Sequence, residues 1–424
     1  MRTQALIASA LSATALLAPP ALAADQALIT DLCDTIRANY VFPDVAERTA
    51  DHIQARADAG AYDDLSTRDL AGALTRDLQA YTSDRHFSAR QAPQRRMRPP
   101  QDSDIEQQPA DPRDSAPHGV HTLERLAANI AYLDLRGFHA EPLAHDSIIA
   151  AVQLMQGAPA LIFDLRRNGG GDPATVQLLC SYLFDPAEPV HLNSLYFRPA
   201  DETTEFWTNA EHPELAMPDT PVYVLTSSYT FSGAEEFTYN LQTRDRATVI
   251  GETTGGGAHP VSGFPIGDEL VVMIPVGRAI NPITETNWEG TGVTPDIAVP
   301  ADQALDMALE HALAKLFAAG DRNAAWGLYQ LAARNRSHTV PRDQLAQYAG
   351  NYTDREIKLD DDSLMYRRVG AGTWTPLIPV GEDTFMIDGN DDFRMEFERN
   401  PDASIAAIRG IYQAGHTDRS ARAD

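Results

Sequence analysis

Between residues 121 and 320 the chain alternates two textures, and that alternation narrows the fold more than any other property of the sequence. Short apolar runs at residues 130–135, 160–165, 221–226, 248–250 and 270–276 have the length and residue content of strands. The stretches at 144–155, 173–183, 233–241 and 304–317 read as helices. A chain that keeps returning from strand to helix stacks its elements in layers. The expectation is an α/β (α+β) layered core over residues 121–320.

The flanks have other textures. Leu28, Ile29, Leu32 and Ile36 recur at helical spacing, and Pro43 opens a second helical stretch. Ser66 to Asp69 resembles a capping box, with Leu70, Leu74 and Leu78 following on one face. Residues 24–89 are therefore expected to form a small helical domain. Residues 90–120 are rich in Pro, Gln and charge and read as an exposed linker. Residues 321–341 read as a helical connector. From residue 342 to 424 short strand-like runs alternate with Asp-Asp, Gly-Asn and Asn-Pro clusters, which predicts a small all-β domain. Its L-A-Q-Y-A-G-N-Y segment, Leu345 to Tyr352, resembles the β domain appended to many secreted bacterial serine hydrolases.

Residues 1–23 read as a signal peptide: Arg2, an apolar run from Ala5 to Leu17, then Ala21-Leu22-Ala23 as an A-x-A cleavage site. The expected product is exported, either periplasmic or secreted, with no integral membrane segment after cleavage. The balance of 34 basic against 60 acidic residues, a net charge of −26, argues against a nucleic-acid partner. Cys33 and Cys180 are left after export, either as one disulfide or as two buried thiols. No H-E-x-x-H, paired C-x-x-C or Asp-rich calcium loop occurs, so neither a catalytic metal nor a cofactor is expected.

Three segments carry chemistry. T-S-S-Y-T-F-S-G-A-E-E-F ends a strand-like run and opens a helix at Ser232. S-G-A-E is a capping box, so Ser232 reads as a helix cap, and equally as a hydroxyl held in the positive end of a helix dipole. D-L-R-R-N-G-G-G-D, Asp164 to Asp172, is a glycine-rich turn whose backbone N–H groups can approach a ligand closely. It has no lysine after its glycines, so a phosphate loop is disfavoured. N-W-E-G-T-G-V-T-P-D-I, Asn287 to Ile297, taken alone is a polar turn before a strand.

Together, in this order and with G-E-T-T-G-G-G between the last two, these segments resemble the C-terminal-processing (tail-specific) peptidases. The resemblance implies a serine peptidase core of the ClpP/crotonase-like type. Family members commonly carry a lysine where this chain has Gly257, and many carry a PDZ domain where it has only residues 90–118. The chain thus looks like the branch of the tricorn core and the interphotoreceptor retinoid-binding protein. By that resemblance Ser232 is the nucleophile, His86 in S-D-R-H-F the base, and Glu289 the acid that orients it. Gly170 and Gly233 supply the oxyanion N–H groups, with Gly169 as a further candidate. The tricorn pattern has a serine before its histidine where this chain has Arg85, and Asp84 or Ser83 stands nearest as a substitute. His259, two residues beyond Gly257, is the rival base or a substrate-binding residue.

The expected activity is hydrolysis of a peptide or protein substrate through a Ser-His-Glu site and an acyl-enzyme. Two alternatives use the same scaffold. One is a non-catalytic protein that binds a hydrophobic, retinoid- or fatty-acid-like ligand; the other is a hydrolase of non-peptide esters or amides.

Overall fold

The computed structural model describes residues 26–92 and 118–423. The expected signal peptide and most of the expected linker lie outside the described residues. Among the described residues no helix is long and apolar enough to cross a membrane. The described chain forms two compact units.

The first unit contains residues 26–92 together with Leu195–Thr203 and His259–Ala279. Its helices are Gln26–Asn39, Pro43–Asp58 and Thr67–Thr82. Pro43 occupies the first turn of the second helix, where its missing N–H costs no hydrogen bond. Ser66 caps the third, its Oγ accepting from the Asp69 N–H at 3.2 Å. Ser83 ends that helix in the left-handed region, φ 59°. The helical faces read from the sequence are buried, but not against one another alone. Leu32, Ile36, Leu74 and Leu78 share a core with Ile266, Leu270, Val272 and Ile274. Those four lie on the antiparallel strands Val261–Ile266 and Leu270–Pro275, the latter pairing with Ser88–Gln91. Helices and a small sheet thus complete one hydrophobic core, and the sheet comes mostly from distant sequence.

The second unit holds the α/β core. Five parallel strands run in the order Ile297–Ala298, Ala247–Gly251, Val222–Thr226, Leu161–Asp164 and Ala131–Leu135, and Val120–Arg125 adds an antiparallel edge. Side chains alternate between two buried faces, which is why these strands read as continuous apolar runs. Leu133, Phe163 and Val224 face helices Glu141–Met155, Pro173–Ser181 and Gly233–Gln242. Tyr132, Ile162 and Tyr223 face helix Ala304–Ala318 on the other side. The turns after Leu161–Asp164 and Val222–Thr226 leave the carboxyl ends of neighbouring parallel strands, where open α/β sheets place their ligands.

Helix Arg322–Asn335 follows, and then an eight-stranded antiparallel sheet in which each strand pairs with the next, from Gly350–Asn351 to Thr417–Ala421. The Thr353 N–H donates to Ala421 C=O at 3.0 Å and the Ala423 N–H to Asn351 C=O at 2.8 Å, so the first and last edges meet. Cys33 and Cys180 are free, buried thiols. Burial pushes the Cys33 thiol up to about 11.

Candidate active site

Ser232 stands at the start of helix Gly233–Gln242 with φ 52° and ψ −123°. L-residues with a Cβ rarely adopt this conformation, and such strain persists only where the surroundings enforce it. The enforcement is visible on both sides of the turn. A Cβ on Gly170 would lie 2.6 Å from the Gly233 nitrogen and 2.8 Å from the Ser232 Cβ, so only glycine lets the Asn168–Asp172 turn pack against the serine. From the other side, the Glu235 carboxylate accepts the Ser232 N–H at 2.8 Å.

Glu235 does more than close a capping box. It is fully buried and also accepts the N–H groups of Gly256 at 2.6 Å and Gly257 at 2.8 Å, with the Thr254 hydroxyl as a fourth donor. Burial raises the carboxyl above its ordinary value, against four donors that favour the charged form. One carboxylate therefore joins the serine turn to the Gly255–Gly257 backbone. Gly257 contributes its N–H to this arrangement.

The N–H groups expected at an oxyanion site, those of Gly170 and Gly233, stand in different surroundings. The Gly170 N–H is already donated to Asn168 Oδ1 at 2.8 Å. Gly171, whose nitrogen a Cβ on Gly233 would approach to 3.0 Å, lies beside the helix start. Among the described residues the Gly171 and Gly233 N–H groups make no hydrogen bond. Gly169 is exposed, and a Cβ on it would stand 3.7 Å from the Tyr229 hydroxyl. Glu289 accepts the Ala258 N–H at 2.5 Å, and the neighbouring Trp288 indole N–H donates to Gly257 C=O at 2.7 Å. The segment before His259 is thus held by Glu235, Trp288 and Glu289.

Within the first unit, the two candidate histidines bracket one acid. Asp84 is 2% exposed, and a carboxylate so buried requires partners. His259 Nδ1 lies 2.6 Å from Asp84 Oδ2, whereas His86 Nδ1 lies 3.8 Å from Oδ1. The His86 backbone N–H donates to Oδ1 at 3.0 Å and the Tyr40 hydroxyl to Oδ2 at 3.4 Å. An Asp on Nδ1 fixes the tautomer that leaves Nε2 as the proton acceptor. That contact belongs to His259, whose ring also packs edge-on to Phe42 at 5.4 Å. Burial holds His86 down to about 4, with the Asp84 charge opposing. In the sequence Asp84 stands out only as a possible substitute for the serine before the tricorn histidine, and Glu235 only as part of a capping box. Glu235 reaches Gly256, 21 positions away, and Asp84 reaches His259, 175 positions away, contacts that no local pattern displays.

Comparison with known proteins agrees with the motifs. Residues 129–299 match the profile of peptidase family S41, and residues 13–130 match the N-terminal domain of peptidase S41 in eukaryotic IRBP. A solved structure from Parabacteroides merdae designated a peptidase is 18% identical, covers 68% of this chain and 97% of its own, and has a TM-score of 0.51. A structure from Bacteroides fragilis designated an S41 protease is 25% identical over 44% of this chain and 52% of its own, with a TM-score of 0.39. The photosystem II D1 C-terminal processing protease is 22% identical over 43% of this chain and 47% of its own, with a TM-score of 0.34. The chain spans about half the length of the latter two. Over residues 129–299 the chain thus carries the domain of peptidase family S41, and over residues 13–130 it matches the N-terminal domain that this family has in eukaryotic IRBP.

Proposed function

We propose that the chain is an exported serine peptidase with Ser232 as its nucleophile and His259, oriented by Asp84, as its base. The observation that carries this reading is the strained Ser232 turn and its tie through Glu235 to Gly256 and Gly257. His259 follows Gly257 by two residues, at most about 7 Å of extended chain. In the proposed reaction Ser232 Oγ bonds to the substrate carbonyl carbon while His259 Nε2 takes its proton. The developing oxyanion accepts the N–H groups of Gly233 and Gly171. As the C–N bond breaks, the proton passes to the departing amine, and water then releases the acyl group from Ser232. Glu289 acts by positioning: it holds the residue before the base. No step calls for a cofactor.

Labelling of the purified protein with a fluorophosphonate probe tests this reading. Wild type should label, and Ser232→Ala should not. His259→Ala and Asp84→Asn should each lower the labelling rate by roughly 10²-fold or more, and His86→Ala by less. Loss in His86→Ala with retention in His259→Ala would transfer the base to His86. An unlabelled wild type that binds a lipophilic fluorophore tightly would replace the peptidase reading by the ligand-binding one.

A further inference from the structure

Three residues before the nucleophile, Tyr229 combines two properties that rarely coincide. Its side chain is 65% exposed, and no large apolar side chain among the described residues is more so. Yet the turn that presents it is held at each position. The Ser227 N–H donates to the Thr230 hydroxyl at 3.0 Å, and the Ser228 N–H to Glu252 at 3.1 Å. The Tyr229 N–H donates to the Ser227 hydroxyl at 3.1 Å, and the Thr230 N–H to Ser227 C=O at 3.0 Å. The two hydroxyls in turn donate to Arg166 C=O and Leu165 C=O, anchoring the turn to the end of the neighbouring strand. A fixed backbone carrying an aromatic ring into solvent resembles the way binding surfaces use tyrosine: large apolar area with few rotatable bonds to immobilise.

The ring also has a defined position. Its hydroxyl and the adjoining ring carbons lie 3.7 to 4.0 Å from where a Cβ on Gly169 would stand, so the tip of the ring borders the exposed Gly169. Gly170, the next residue, is the one that packs against Ser232. The ring therefore sits one residue from the turn that abuts the reactive serine. Glu252, just after strand Ala247–Gly251, accepts the N–H groups of Ser228 and Ala301. What the turn offers an incoming chain is apolar surface with a hydroxyl tip.

Resting on the peptidase reading above, we propose that Tyr229 is a specificity-determining residue that selects substrates with an aromatic or large aliphatic side chain beside the scissile bond. The test is digestion of a random-sequence peptide library, with cut sites mapped by mass spectrometry, followed by kcat/KM on a matched peptide pair carrying Phe or Ala at the preferred position. Wild type should favour Phe over Ala by about tenfold or more, and Tyr229→Ala should lower that ratio to within about twofold of unity. Tyr229→Phe, which keeps the ring, should retain the preference. Because the readout is a ratio on one enzyme, a general loss of activity cancels. A wild type without the preference, an enrichment of Arg or Lys instead, or a preference that persists in Tyr229→Ala overturns the inference. Cleavage that survives in Ser232→Ala is a separate outcome, which removes the peptidase reading and this inference with it.

Discussion

Ser232 stores strain that its own Cβ creates. Replacement by glycine relieves it, at the cost of a more flexible unfolded chain. Ser232→Gly should therefore unfold at higher denaturant, by roughly 1 kcal/mol, while losing all probe labelling. Glu235 carries the opposite expectation. Glu235→Ala leaves the Ser232, Gly256 and Gly257 N–H groups without their acceptor, and urea unfolding should register a loss of about 3 kcal/mol or more. Glu235→Gln keeps one carbonyl and should lose less. His86 predicts a pH dependence. Its folded value of about 4 lies below the ordinary 6.5 of a histidine, so between those values the unfolded chain binds the extra proton. The stability involved is complete above pH 6.5 and drains away as pH falls toward 4, by at most about 3 kcal/mol. Urea midpoints at pH 7.5 and 5 should differ less in His86→Asn. Ser232, Glu289, His86 and His259 each sit in a short motif, so the sequence alone brings them forward as candidates. Which imidazole reaches Asp84 is not visible there, because that contact joins residues far apart in the chain.

At the scale of elements, legibility follows burial. The runs 130–135, 160–165 and 221–226 match the observed Ala131–Leu135, Leu161–Asp164 and Val222–Thr226 to within a residue or two, because those strands are covered on both faces and admit few polar residues. Val120–Arg125 and Glu202–Trp207 escaped, being edge or exposed strands whose charged residues break the apolar pattern. Val261–Ile266 escaped too, since Gly263 and Pro265 are strand breakers unless a partner such as Leu270–Pro275 fixes the register. In the C-terminal sheet the element to test is the seam at Arg355. Its side chain is fully buried, lies 5.6 Å from the Phe393 ring centroid, and makes two 2.7 Å bonds to Asp418 on the last strand. Asp418→Ala would leave the buried guanidinium with only the Ser420 hydroxyl and the more distant Asp354, and should cost about 3 kcal/mol in the unfolding of this sheet. Joint replacement of Arg355 by Met and Asp418 by Leu should restore much of it.

At the scale of the molecule, the two units should answer pH in opposite directions. The first contains His86 and loses stability toward acid. The second contains Glu236, four residues after Ser232, whose carboxyl burial pushes up to about 7 from an ordinary 4.5. The unfolded chain releases that proton above 4.5 while the folded chain keeps it to about 7, so stability from Glu236 is present below 4.5 and lost as pH rises toward 7. Hydrogen exchange, corrected for intrinsic rate, should show protection falling in residues 26–92 on acidification and in helix Gly233–Gln242 on approach to pH 8. Glu236→Gln should flatten the second response alone. The two-unit division itself was not legible, since nothing in residues 24–89 announces that their core is finished by residues 259–279. That arrangement bears on how the chain is born. The N-terminal helices leave the ribosome with one apolar face open, and the strands that cover it follow on the order of 170 residues later, about ten to thirty seconds at ordinary elongation rates. For that interval the face stays adhesive, so a nascent or truncated chain ending before residue 259 should be the form that chaperones capture.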